Sequence, residues 1–285
     1  MGKRKGNDVF SGASGESQAA GWEGPSSNVL KDDFNLEIPV ETVPLPSRGV
    51  VYPEDHPLFG KETLEIKAMT AREEDILTNR VYIKKKTVIS ELLRSSFIDK
   101  SVDPDTLIAG DRNAIMVALR VTGYGADYSV EVDCPACGER SKQEFDLSTL
   151  PIKRLEQQPI AVGSNAFEFT LPVSKKKVRF KYLTGLDEID IAVAEDRLKK
   201  KGFESGNMVT RRFKNQVLSI ENVTDKNKIL KFCQNMPARD SLRLRKYIDK
   251  NEPGIDMTSH MVCPHCLEES EVRLPMGAAF FWPDE

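Results

Sequence analysis

The feature that most constrains this chain is a pair of matched cysteine turns. Cys134-Pro135-Ala136-Cys137 and Cys263-Pro264-His265-Cys266 share the form Cys-Pro-x-Cys and take up four of the five cysteines; Cys233 is the fifth. Two residues between thiols let one tight turn aim both sulfurs at one ion. Two such turns facing each other complete a tetrahedral site of four cysteines. The flanks read as strands: Tyr128 to Asp133 alternates apolar and polar residues, and Phe145 and Leu147 continue the alternation. Met261, Val262, Val272 and Leu274 frame the second turn in the same way. The spacing therefore predicts two hairpins with a cysteine pair at each tip, as in zinc ribbons. One structural Zn2+ per chain is expected on Cys134, Cys137, Cys263 and Cys266.

Two other readings compete. Cys-Pro-His-Cys is also a thiol–disulfide oxidoreductase motif, but such a cysteine sits at a helix N-terminus, which lowers its pKa. The stretch after Cys266, Leu-Glu-Glu-Ser-Glu-Val-Arg-Leu-Pro, alternates and then meets a proline, which makes a poor helix. Four unrelated buried thiols would leave the doubled motif unexplained. His265 reads as a solvent-facing turn residue, and His56 and His260 as ordinary polar groups.

The cysteine turns lie 129 positions apart, and the sequence before them corresponds at that offset. Asp111 matches Asp240, Gly125 matches Gly254 and Asp127 matches Asp256. In each case a helical pattern, capped by Asp111 or opened by Pro237 with Asp240, ends in a glycine turn that feeds the cysteine strand. Further upstream, Leu64 to Thr70 resembles Val178 to Thr184 at an offset of 114, each a strand ending at a Thr that can cap a helix. Glu73 completes a capping box with Thr70, and Asp187 a weaker version with Thr184. An insertion is then needed between about 200 and 236. The expected fold is α+β: two related halves, each hairpin, helices and cysteine hairpin, joined by a shared zinc-ribbon site of four cysteines. A length of 285 residues sets a prior of about two domains. The boundaries fall at 1–35, a disordered N-terminal arm; 36–150, the first half; and 151–285, the second half.

The arm is rich in Gly, Ser, Asn and charge, and its isolated Val9, Phe10 and Trp22 cannot build a core. Five prolines between positions 39 and 57 imply extended, turn-punctuated structure. Residues 71–99 read as helix broken near Lys84-Lys85-Lys86, with Ile76, Leu77, Val88, Ile89, Leu92, Leu93 and Phe97 inward. A second helix near 208–220 places Val209, Phe213, Val217 and Ile220 on one stripe. Lys84–Lys86, Lys175–Lys177 and Lys199–Lys201 read as solvated helix ends or hairpin tips, with nucleic acid or an acidic partner as the alternative. The sequence ends on Phe280-Phe281-Trp282-Pro283-Asp284-Glu285. Three aromatics in water would form an unusual exposed patch, so they either fold back onto the core or serve as partner-binding residues on a neighbour.

Lys+Arg 41 against Asp+Glu 44 gives a net charge of −3, which argues against a dedicated duplex binder. No apolar run reaches the roughly 18 residues of a membrane span, and the N-terminus lacks the apolar stretch of a secretory signal. No Walker loop, GxGxxG, HExxH or GxSxG is present, and a full shell of four cysteines leaves a metal no open position. No enzyme activity and no small-molecule substrate are expected.

Leu45-Pro-Ser-Arg-Gly49 with Val51-Tyr52-Pro53, Met69-Thr-Ala-Arg-Glu-Glu-Asp-Ile76, and Val121-Thr-Gly-Tyr-Gly125 ahead of the first cysteine turn together resemble the baseplate hub family of T4-like contractile-tailed bacteriophages, especially its cyanophage forms. The resemblance covers roughly residues 40–285. It implies a virion protein of the tail baseplate, made in the host cytoplasm, whose partners are other tail and baseplate proteins and which carries no enzymatic activity. Two readings from other classes stand beside it. One is a zinc-ribbon nucleic-acid-binding protein of phage transcription or replication, although Glu139, Glu268, Glu269 and Glu271 crowd the cysteines where a basic face would be needed. The other is a dithiol oxidoreductase.

Overall fold

A computed structural model of the chain describes residues 29–31, 37–200, 208–276 and 278–282. Apart from Val29–Lys31, the expected arm lies outside the described residues. That short segment is β1, which pairs antiparallel with β2 (Glu37–Pro44), and β2 pairs in turn with β3 (Thr63–Lys67). Residues 29–31 therefore belong to a sheet. Across β2 and β3, Val43 stands opposite Leu64 and both are buried, so the alternation read from the sequence faces the core.

Three helices follow: α1 (Ala71–Thr78), α2 (Arg80–Lys85) and α3 (Val88–Ser96). The expected single break is in fact two. Asn79 ends α1 and caps α2 by accepting from the Val81 and Tyr82 amides, and Lys86 closes α2 in the left-handed region at φ 63°. α4 (Ala109–Tyr124) is buried nearly all round and forms the centre of the molecule. It stops at Gly125, where φ is 88°. β4 (Asp127–Asp133) and β5 (Arg140–Asp146) form the first cysteine hairpin, and β6 (Ile152–Lys153) leads away from it.

The second part opens with the hairpin β7 (Phe167–Thr170) and β8 (Lys177–Phe180), then α5 (Gly185–Lys200) and α6 (Met208–Gln216). The expected helix over 208–220 ends at Gln216. Val217–Ile220 is β9, the third strand of the β7-β8-β9 sheet. Val-Leu-Ser-Ile suits a strand, and the open side of β8 supplies the partner that overrides helical spacing. Then come α7 (Lys226–Asn235), α8 (Ala238–Asn251), β10 (Gly254–Ile255), and the second cysteine hairpin of β11 (Thr258–Val262) and β12 (Glu269–Arg273). No helix among the described residues is long and apolar enough to cross a membrane.

The same small motifs occur in both parts. Thr70 and Glu73 form the expected capping box, and Lys67 ion-pairs with Glu73 at 2.8 Å. At the matching positions the Thr184 amide and hydroxyl donate to Asp187, which Lys181 meets at 2.6 Å. Asp111 and Asp240 do not cap their helices as expected. Each lies buried in the first helical turn and accepts from the loop of the hairpin before it. Asp111 takes the Ser47 amide (2.9 Å), the Ser47 hydroxyl and the Tyr52 hydroxyl (2.6 Å); Asp240 takes the Val173 and Ser174 amides at 2.7 and 2.9 Å.

The chain also crosses between the parts. β6, following the first cysteine hairpin, pairs with β10, which precedes the second. After the second hairpin, the segment at Phe280 returns to α4, where the buried Arg120 donates to the Phe280 carbonyl at 3.2 Å and to the Gly125 and Asp127 carbonyls at 2.8 and 2.9 Å. Ala109 donates to the Leu183 carbonyl, and Gly185 to that of Leu107. Where α4 passes β10 the backbones touch: a Cβ on Gly110 would lie 1.8 Å from the Pro253 carbonyl oxygen.

Candidate metal centre

Each cysteine pair occupies a tight turn that begins as its strand ends. In the first, the Cys134 amide donates to the Glu139 carbonyl (2.9 Å) and the Gly138 amide to the Cys134 carbonyl (2.8 Å). In the second, Cys263 donates to Glu268 (3.1 Å) and Leu267 to Cys263 (2.9 Å). Gly138 and Leu267 hold equivalent places, both left-handed, at φ 78° and 60°. Glycine accepts that conformation freely, whereas a leucine there is strained.

The hairpins face each other and bring all four sulfurs together. Every Sγ lies within 4.8 Å of the others; Cys134 and Cys266 are 3.8 Å apart, and Cys137 and Cys263 are 3.7 Å apart. Four thiolates around an ion at the usual zinc–sulfur length of about 2.3 Å would stand about 3.8 Å apart along each tetrahedral edge. The donor set therefore fits a tetrahedral soft-metal site. It is the only group of His, Cys, Asp and Glu side chains among the described residues that could hold a metal ion. No disulfide competes for the thiols. Cys134 and Cys263 are buried, and Cys137 and Cys266 are exposed.

The electrostatics agree with the geometry. The Cys137 amide, aided by that of Ala136, points at the Cys134 sulfur and brings its thiol down to about 7. At Cys137 the Glu139 amide also pulls downward, but burial and the neighbouring thiols outweigh it and push the group up to about 12. One thiolate forms readily and its neighbours then resist ionisation. Four thiolates in so small a volume need a cation. Neither pair lies at a helix N-terminus, which removes the structural support for the oxidoreductase reading. Cys233 stays apart, buried in α7, where burial raises its thiol to about 11.

The aromatic end divides. Phe280 and Phe281 are fully buried in this chain, Phe280 edge-on to Tyr128 with ring centroids 5.1 Å apart. Of the two alternatives left open by the sequence, these two rings take the first and fold back onto the core, because the chain returns to α4. Trp282 remains 39% exposed. The positions after it lie outside the described residues. His265 is exposed at the turn, and His260 is exposed on β11. His56 is stacked on Tyr52 and hydrogen-bonded to Thr106 at 2.8 Å, an ordinary polar role.

Sequence reasoning missed two features. Leu267 stands where the first turn has glycine, an inconsistency visible on aligning the turns at the offset of 129. The lysine run Lys84–Lys86 also meets the end of α5, through Lys86 and Asp196 at 3.6 Å. No local pattern announces that contact between distant segments.

A family model described as T4 bacteriophage base plate protein matches residues 52–282. No curated protein and no solved structure matches the chain.

Proposed function

This chain belongs to the T4 bacteriophage base plate protein family, and from that premise we propose that it is a non-enzymatic building or assembly component of the hub region of the tail baseplate, held together by one structural zinc ion. Membership of the family implies a position in the phage tail, among other tail proteins. The observation that carries the reading is that the matched stretch, 52–282, contains both cysteine hairpins and the crossings that join the two parts. Zinc suits the site because four thiolates with tetrahedral spacing favour it over harder ions.

The two parts, 36–150 and 151–285, are related halves. The paired capping motifs and the paired buried aspartates support this reading. β9 and α7 lie within the stretch from about 200 to 236 where the offsets call for an insertion. Zinc would join the halves through two thiolates from each, which is a clasp and not a catalyst. Trp282, exposed beside two buried rings, is the residue of the aromatic end left to dock on a neighbour.

Metal analysis and particle imaging test the reading together. The purified chain should carry about one zinc per molecule, with its four cysteines unreactive until a chelator is added. A labelled copy should appear at the tail tip of assembled particles. A metal-free chain that folds fully, or a label found away from the baseplate, would defeat it.

A further inference from the structure

We propose that copies of this chain associate head to tail, the acidic tip of the cysteine hairpins of one copy seating on a basic knob formed by α2 and the end of α5 of the next. The inference goes beyond the docking role above because it uses different surfaces and names the partner as a second copy.

The knob is assembled by the fold. α2 has no buried residue, and Arg80, Lys84, Lys85 and Lys86 project from it into solvent. The bridge from Lys86 to Asp196 brings the end of α2 against α5, where Lys200, one helical turn on from Asp196, is also exposed. Of these five cations only Lys86 forms an ion pair among the described residues. Like charges gathered without counter-charge are costly unless something anionic meets them. Between them Val81 and Ile83 face solvent, Val81 at 55% exposure. Contacts to phosphates alone would not use two exposed aliphatics, and no aromatic stacking platform accompanies them.

The cysteine hairpins offer the complement. Residues 131–142 and 260–271 carry six carboxylates against two cations. Glu139 and Glu268 are exposed in the turns and Glu269 and Glu271 at the start of β12, and near them Val262 and Leu267 face solvent at 53% and 76% exposure. Leu267 is doubly unfavourable within one chain: it leaves an aliphatic side chain in water and forces it into the left-handed region that Gly138 occupies in the other turn. A surface with two aliphatics rimmed by carboxylates thus matches a surface with two aliphatics rimmed by lysines. No ion pair joins the two surfaces within the chain among the described residues. Because they differ, the contact is heterologous, and repetition gives a ring if the rotation closes and a filament if it does not.

Sedimentation velocity on the full-length chain tests this. At about 50 mM salt the weight-average mass should rise with concentration, and at about 500 mM it should fall toward the monomer, as screening requires. Lys84→Glu with Lys85→Glu, or Glu268→Lys with Glu269→Lys, should each weaken association about tenfold or more. The chain with all four reversals should associate again, which a merely damaged fold could not do. Leu267→Gly should weaken association about tenfold while thermal stability does not fall. A wild-type chain that stays monomeric to about 100 µM at low salt, or association indifferent to the reversals, would overturn the proposal. So would a monomeric chain that binds duplex DNA and loses that binding in the lysine variant, because the knob would then belong to nucleic acid.

Discussion

Removing the cysteine clasp is the most informative perturbation, because its cost depends on how the thiols are shared. Cys137 and Cys263 are 126 positions apart, and Cys134 and Cys266 are 132 apart. A cross-link closing a loop of that size removes about 17 cal/mol/K of chain entropy from the unfolded state, or about 5 kcal/mol at 25 °C. If each turn closed only its own loop of about four residues, the same relation gives about 2 kcal/mol for each. The two arrangements therefore differ in magnitude and in additivity. In the shared site, Cys134→Ser with Cys137→Ser should cost about 5 kcal/mol, Cys263→Ser with Cys266→Ser the same, and all four together no more, a strong departure from additivity. Urea unfolding with metal present should show each midpoint lowered by roughly 1.5–2 M, given a slope near 3 kcal/mol/M. A chelator should reproduce that loss in the parent and leave the variants unmoved. Losses of about 2 kcal/mol that add across the two pairs would refute the reasoning, since they would mean that the turns act separately.

Three further outcomes follow from the packing. Burial works to raise the Glu73 carboxyl, but hydrogen bonds from Lys67, Ser95 and Thr70 outweigh it and bring the group from 4.5 to about 2; the folded value lies below the unfolded one, so the stabilisation is present above pH 4.5 and is lost as pH falls toward 2. The stability gap between parent and Glu73→Gln should therefore narrow by about 1.5 kcal/mol between roughly pH 6 and pH 3.5, and a gap that holds constant over that range in urea titrations would count against the ion pair. Gly110→Ala should destabilise the chain by more than about 3 kcal/mol, because the new Cβ meets the Pro253 carbonyl and not a movable side chain; a melting temperature unchanged within error would contradict the close approach. Phe281→Ala should cost about 3–5 kcal/mol of stability, whereas Trp282→Ala should stay within about 1 kcal/mol and show its effect in assembly of the tail, and calorimetry on both variants would reveal any reversal of that order.

The cysteine site was readable because its chemistry is written locally. The Cys-Pro-x-Cys spacing, alternating flanks and repeated turn each fit within a short stretch, and only the facing of the two turns had to be supplied by the fold. The helix over 208–220 failed for the opposite reason. Val217 and Ile220 satisfy helical spacing, and what makes them a strand is the open side of β8, a partner far back along the chain. Asp111 and Asp240 were found but misread, because a carboxylate near a helix start satisfies the capping pattern whether it bonds its own helix or a loop 64 or 66 positions away. Phe280 and Phe281 were open in the sequence because aromatic residues at an end are the same letters whether they pack inward or outward. The carbonyl hydrogen bond from Arg120 marks where they go.

The separation of the two cysteine turns also orders events during synthesis. Cys134 and Cys137 leave the ribosome 129 residues before Cys263 and Cys266, an interval of roughly 6–26 s at ordinary elongation rates. For most of it the first pair can supply only two of the four sulfurs, and neither the segment at Phe280 that bonds Arg120 nor the strand β10 that pairs with β6 yet exists. The nascent N-terminal part thus presents two accessible thiols and an uncovered central helix, open to any bystander that binds thiolates or apolar surface. The thiols are shielded only when the last stretch of the chain arrives.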